Sequence, residues 1–163
     1  IFDSLNAKAA LVAIQQLFEE RGSSLPVIVS AAVGSGGATL ISAQRIEAFW
    51  IAVRHIKPLA VGLNCCEGPD VLRPFVAELA ESVDCFTSCY PNAGLPNPLA
   101  PTGFDLEPHH MAEYMGEFAK SGLLNIAGGC CGNTPSHIAA IAEAVKPHQP
   151  RIPGARAVTL SGR

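Results

Sequence analysis

Basic charge is scarce in this sequence and nowhere gathered: 11 Lys and Arg are scattered against 14 Asp and Glu, for a net charge of -3. A chain with no positive field does not hold a phosphate backbone, so nucleic acid is not expected as a partner. Long apolar runs are missing too. None approaches the ~20 residues that a spanning helix needs, so no membrane insertion is expected. The chain opens on Ile1 rather than Met, with no charged-then-apolar leader behind it, and reads as a piece of a longer protein without a signal peptide. Cysteine is too sparse for a disulfide-dense secreted scaffold: there are six in 163 residues, and a chain of this length can bury a core without crosslinks. Reduced thiols in a cytoplasm are therefore expected. Clustered thiols in that setting point to metal binding or catalysis.

What is present is a globular composition, 48% hydrophobic with 15 Gly and 13 Pro. Apolar residues recur at helical spacing in five windows. Ala7, Leu11, Ile14 and Phe18 share one face, closed by Gly22. Ile46, Phe49, Trp50 and Val53 share another, with Ser42 available as N-cap. Leu72, Phe75, Val76 and Leu79 follow Pro69, although Pro74 removes a backbone donor. Met111, Tyr114, Met115 and Phe118 follow Pro108, and Ile138, Ile141, Ala142 and Val145 follow Thr134 and Pro135. His55, His109, His110 and His137 read as surface residues of these helices.

Between the helices lie short apolar runs without helical period, "PVIVSAAV", "PLAVGLN", "DCFTSCY" and "LLNIAGG". Such runs read as parallel strands buried on both faces. A helix followed by four strand-helix units suits either a doubly wound α/β sheet or part of a (β/α)8 barrel. Since a whole barrel takes ~250 residues, about four parallel strands with five helices would be half of one. The boundaries expected are a partial barrel over 1–147 and an exit linker over 148–163, where periodicity gives way to Pro and Arg. "VGSGGATL" lacks the spacing of a phosphate loop and reads as a flexible loop.

In βα-repeat proteins chemistry collects in the loops at the strand C-terminal ends. Three such ends are loaded here: Asn64, Cys65 and Cys66 after the second strand, Asn92 after the third, and Cys130 and Cys131 after the fourth. Neighbouring strands lie ~4.8 Å apart, so three thiolates from these loops can share one ion. Adjacent residues of a regular strand point to opposite faces, but Gly128, Gly129 and Gly132 let the backbone turn. Spacing alone leaves three readings open for the cysteine pair. They are metal ligands, partners of a disulfide with Cys65, or small buried residues. Cys66, Cys85 and Cys89 read as packing.

The segments "FDSLNAKAA", "GLNC", "CYPNAGLPN", "LLNIAGGCCGNTPSHIAAIAEAV" and "RAVTLSGR" together resemble the homocysteine S-methyltransferase family, and within it the homocysteine-binding domain of cobalamin-dependent methionine synthases. The resemblance covers nearly the whole chain. It implies a (β/α)8 fold of which this is the C-terminal half, strands five to eight, and zinc held by Cys65, Cys130 and Cys131. Asn92 matches the asparagine that supplies a displaceable fourth ligand, and Ser30, Asn64 and Gly129 are the expected substrate contacts. The implied reaction is methyl transfer to homocysteine, giving methionine. Its donor is methylcobalamin, and methylcobalamin and methyltetrahydrofolate would be carried by cobalamin-binding and folate-binding domains of the same chain. The piece alone is expected to be inactive. Betaine-dependent and S-methylmethionine-dependent enzymes share the core motifs and form the alternative. A second alternative is a non-catalytic fragment in which zinc or a disulfide staples the strand ends. Ala32, Ser35 and Thr39 depart from the family's Thr, Asp and Arg in the loop after the first strand.

Overall fold

The computed structural model describes residues 1–154. Its helices begin and end where the chain supplies caps. α1 (Ser4–Arg21) starts behind Asp3, whose carboxylate accepts the Asn6 N–H at 2.8 Å, and stops at Gly22 in left-handed backbone. α3 (Pro69–Ser82), α4 (Pro108–Lys120) and α5 (Pro135–Val145) each place a proline in the first turn, where its missing N–H costs nothing. Pro74 lies inside α3 without ending it. α2 (Ile46–Val53) is capped by Arg45 with no side-chain bond, not by Ser42. Ser42 instead sits 2.9 Å from the Thr39 hydroxyl, because the expected flexible loop folds back on itself through bridges Val33↔Thr39 and Ala38↔Arg45. Thr39 is buried in that small hairpin.

The strands are β1 (Ile28–Ala31), β2 (Ala60–Asn64), β3 (Phe86–Tyr90) and β4 (Ile126–Ala127), all parallel and hydrogen-bonded in the order β1-β2-β3-β4. A doubly wound sheet reverses its strand order at a switch point. This one does not, and right-handed crossovers then place α2, α3 and α4 on the same face, with α1 packed on α2 and α5 on α4. α1 to α5 accordingly touch one another in chain order. Four parallel strands in one sheet with five helices on one side are the architecture of part of a (β/α)8 barrel.

Val29, Ala31, Val61, Leu63 and Cys89 face those helices in one core with Phe49, Trp50, Leu72, Val76, Met111 and Phe118. The other face is not buried throughout, contrary to the apolar-run reading. Ile28 is 49% and Phe86 40% exposed, while Ser30, Gly62 and Ser88 pair across it in register.

The segment expected to leave the body at residue 148 is held against it as far as Arg151. Its guanidinium donates to the carbonyls of Ala80, Val83 and Cys85 at the C-terminal end of α3, and its backbone bonds Leu124 and Asn125. The rest of the expected linker, residues 155–163 with the "RAVTLSGR" motif, lies outside the described residues.

Candidate functional site

β2 ends at Asn64, and the next two residues, Cys65 and Cys66, both take left-handed backbone, with φ of 59° and 63°. For a residue with a Cβ this conformation costs roughly 1–2 kcal/mol. Three bonds hold it. Cys65 N–H donates to Tyr90 O at 3.2 Å, Glu67 N–H to Cys65 O at 2.7 Å, and Asn92 N–H to Glu67 O at 3.1 Å. The β2 end is thereby tied to the β3 end.

β4 is short, and Gly128 and Gly129 lead into a turn made by Cys130, Cys131 and Gly132. Of the three glycines only Gly132 uses positive φ, at 77°. A Cβ on Gly132 would collide with the Phe104 ring, and one on Gly129 with the Asn133 side chain. The turn is laced to the β3 end as well: Cys130 N–H donates to Pro91 O at 2.8 Å, Cys131 N–H to Asn92 Oδ1 at 3.2 Å, and Ala93 N–H to Cys131 O at 2.9 Å. Asn133, which spacing did not single out, donates to Pro91 O at 3.1 Å and across the same turn.

These constraints gather three thiols from two loops. Cys65 Sγ lies 3.6 Å from Cys131 Sγ, Cys130 Sγ lies 3.9 Å from Cys131 Sγ, and all three fall within 4.8 Å of one another. A disulfide would need about 2.05 Å, and all six cysteines are free. Around a tetrahedral ion with metal–sulfur bonds of ~2.3 Å, neighbouring sulfurs stand about 3.8 Å apart. The two separations of 3.6 and 3.9 Å match that edge, and three donors leave a fourth position open. Cys65, Cys130 and Cys131 are placed to hold a metal ion.

The electrostatics mark the same group. Burial works to raise the Cys65 thiol, but the Cys66 backbone N–H and the Cys130 and Cys131 thiols outweigh it and hold it below its ordinary value. Burial, with Cys65 and Cys131 beside it, pushes Cys130 up to about 12. Cys66 is raised by burial and by the neighbouring Cys65, and it is not part of the three-thiol group. Cys89 is wholly enclosed and pushed up to about 12 by that burial, as fits a packing residue.

Asn92 is 5% exposed and reaches the cysteine turn directly. Ser30 and Asn64 meet each other, Ser30 Oγ donating to Asn64 Oδ1 at 2.6 Å across β1 and β2. A cavity of about 870 Å³ lies elsewhere, lined by Ala80, Lys120 and Pro147–Arg151 beneath α3 and α4, and none of the three clustered thiols lines it.

The fifth helix corrects the sequence reading. His137, expected on the surface, is 1% exposed, and Ile138, expected inside, is 44% exposed. Both ring nitrogens of His137 are bonded, to the Thr134 backbone and to Leu106 O, which makes burial tolerable for a polar ring. The signal was present in the "T-P-S-H" spacing, since a side chain three residues after a threonine N-cap can reach back to the cap.

A family model described as homocysteine S-methyltransferase matches residues 1–145, which include every residue of the thiol cluster and its supports. The chain belongs to the homocysteine S-methyltransferase family, methyltransferases that take homocysteine as substrate.

Proposed function

We propose that the chain carries the homocysteine-activating site of a cobalamin-dependent methionine synthase, with Cys65, Cys130 and Cys131 as ligands of a zinc ion. The observation that carries this is the meeting of three free thiols from two loops within 4.8 Å of one another. Asn92, whose Oδ1 accepts the Cys131 N–H, would offer the fourth donor. Bound zinc supplies Lewis acidity that lets a thiol of ordinary pKa, near 8.5, react as thiolate at neutral pH. Three cysteine donors put negative charge around that position and so keep an incoming sulfur nucleophilic. The exposed side of Cys131 gives substrate and its proton a way to and from solvent. Ser30 and Asn64, already joined, and Gly129 beside the turn are the proposed contacts of homocysteine.

The donor assigned is methylcobalamin, carried with methyltetrahydrofolate on other domains of the same chain, and the product is methionine. The "PNAGLPN" stretch after β3 and the motifs around it support this branch. Six free cysteines suit a reducing cytoplasm.

The test uses the full-length protein. One equivalent of zinc, a metal–sulfur count rising from three to four when homocysteine is added, and release of one proton are expected. Methionine should form with methylcobalamin, not with betaine or S-methylmethionine. An unchanged sulfur count would make the metal a structural staple. Turnover with betaine or S-methylmethionine alone would assign the other branch.

A further inference from the structure

The cysteine turn does not stand by itself. From Cys131 the hydrogen bonds run to Ala93, whose N–H reaches Cys131 O at 2.9 Å, and from Ala93 O to Leu106 N–H at 3.0 Å. Leu106 O accepts from His137 Nε2 at 2.9 Å, and His137 Nδ1 accepts from Thr134 N–H at 3.1 Å. Thr134 stands three residues after Cys131, so the circuit closes on itself. It takes in the long segment between β3 and α4, the start of α5 and the turn that presents two thiols. His137 is the side chain that closes it.

The bonding fixes the ring's chemistry. A backbone carbonyl only accepts, so Nε2 carries the hydrogen. A backbone N–H only donates, so Nδ1 is bare. Thr134 Oγ1, 2.8 Å from Nδ1, takes the His137 backbone N–H as the other half of the cap and turns its own hydrogen to the ring. Only the neutral Nε2–H tautomer satisfies all of these partners.

We infer that His137, as that tautomer, is a positioning residue for the metal site. By pinning Leu106 it holds the Asn92–Ala93 strip against Cys131, and so keeps Cys130 and Cys131 in register with Cys65. The inference rests on the proposed metal-binding reading. It acts at a distance, three hydrogen bonds from Cys131: His137 touches neither metal nor substrate.

Two substitutions separate its two jobs. In His137→Asn the side-chain oxygen stands where Nδ1 stood and keeps the Thr134 cap, but nothing reaches Leu106. In His137→Gln the terminal NH₂ stands where Nε2–H stood and keeps the Leu106 bond. In the full-length protein, zinc affinity measured by chelator competition is expected to fall roughly tenfold or more in His137→Asn, and to recover most of that loss in His137→Gln. Helix content is expected to match the wild type in both. ¹⁵N correlation of the wild-type imidazole at neutral pH, a readout independent of metal and activity, is expected to show hydrogen on Nε2. Equal zinc affinity in wild type and His137→Asn overturns the positioning role, as does a hydrogen on Nδ1. Equal losses in the two variants reduce His137 to a general support of the fold. Absence of zinc binding in the wild type sinks the metal reading instead, and the tautomer measurement then still tests the circuit.

Discussion

The two vicinal cysteine pairs, Cys65–Cys66 and Cys130–Cys131, look alike in sequence and are built in opposite ways. At Cys65–Cys66 the cysteines themselves take the left-handed backbone, and one thiol of the two joins the cluster. At Cys130–Cys131 the left-handed position falls on Gly132, the cysteines stay in ordinary backbone, and both thiols join. The difference teaches that a pair of cysteines is not a motif until the turn around it is known. Where glycine absorbs the reversal, two successive side chains can face one point. Where cysteine absorbs it, the second thiol is carried away.

The sharpest way to break this comparison is to remove the thiols one at a time. Cys65→Ser, Cys130→Ser and Cys131→Ser are each expected to lower zinc affinity by about a hundredfold or more, at or beyond the loss seen for outer supports of a metal site. Cys66→Ser should leave it unchanged. Chelator competition on the four variants decides, and a Cys66→Ser loss equal to the others would erase the distinction between the pairs.

A smaller effect tests the turn itself. Gly132→Ala combines a φ of 77° with a collision against Phe104 and is expected to destabilise the fold by about 1–3 kcal/mol in urea unfolding. Stability equal to the wild type would mean that the turn relaxes freely.

The buried thiols give a pH signature of their own. Cys89 and Cys85 are raised by burial, to about 12 and about 11, from an unfolded value of 9.0. Between those values the native state keeps protons that the unfolded chain gives up. Their contribution is therefore whole below pH 9 and is lost as pH rises toward 11 and 12. Thermal midpoints between pH 8 and 10.5 should fall less steeply in Cys89→Ala than in the wild type, and parallel slopes would refute the assignment.

The smallest change expected is a gain. Cys66→Gly removes one left-handed cysteine and should stabilise by about 0.5–1 kcal/mol, seen as a modest rise in thermal midpoint. A loss would show that the Cys66 side chain contributes more by packing than its backbone costs.

Much of the fold was legible because its signals are local. The proline-led starts of α3, α4 and α5, the Gly22 stop and the four apolar runs all act within a few residues, and all appear where expected. The cysteines were legible as candidates for the same reason, since each stands at the end of an apolar run. What local pattern misjudged were places where a distant segment supplies a partner. Ser42 read as a cap until the hairpin of residues 33–45 claimed it through Thr39. His137 read as solvated because its acceptor, Leu106 O, lies 31 residues away. Ile138 read as core because the helix face was counted without the imidazole that replaces it.

The sequence by itself determined the alternation of strands and helices, the caps that bound them and the chemical types available at the strand ends. Those follow from backbone sterics, local hydrogen bonding and hydrophobic period, which need only neighbours along the chain. Tertiary structure alone decided that the sheet keeps one strand order with every helix on one face. It also decided which thiols meet and which polar side chains are hidden. Each of those outcomes depends on contacts between residues 26 to 66 positions apart, and no short stretch of chain contains both partners.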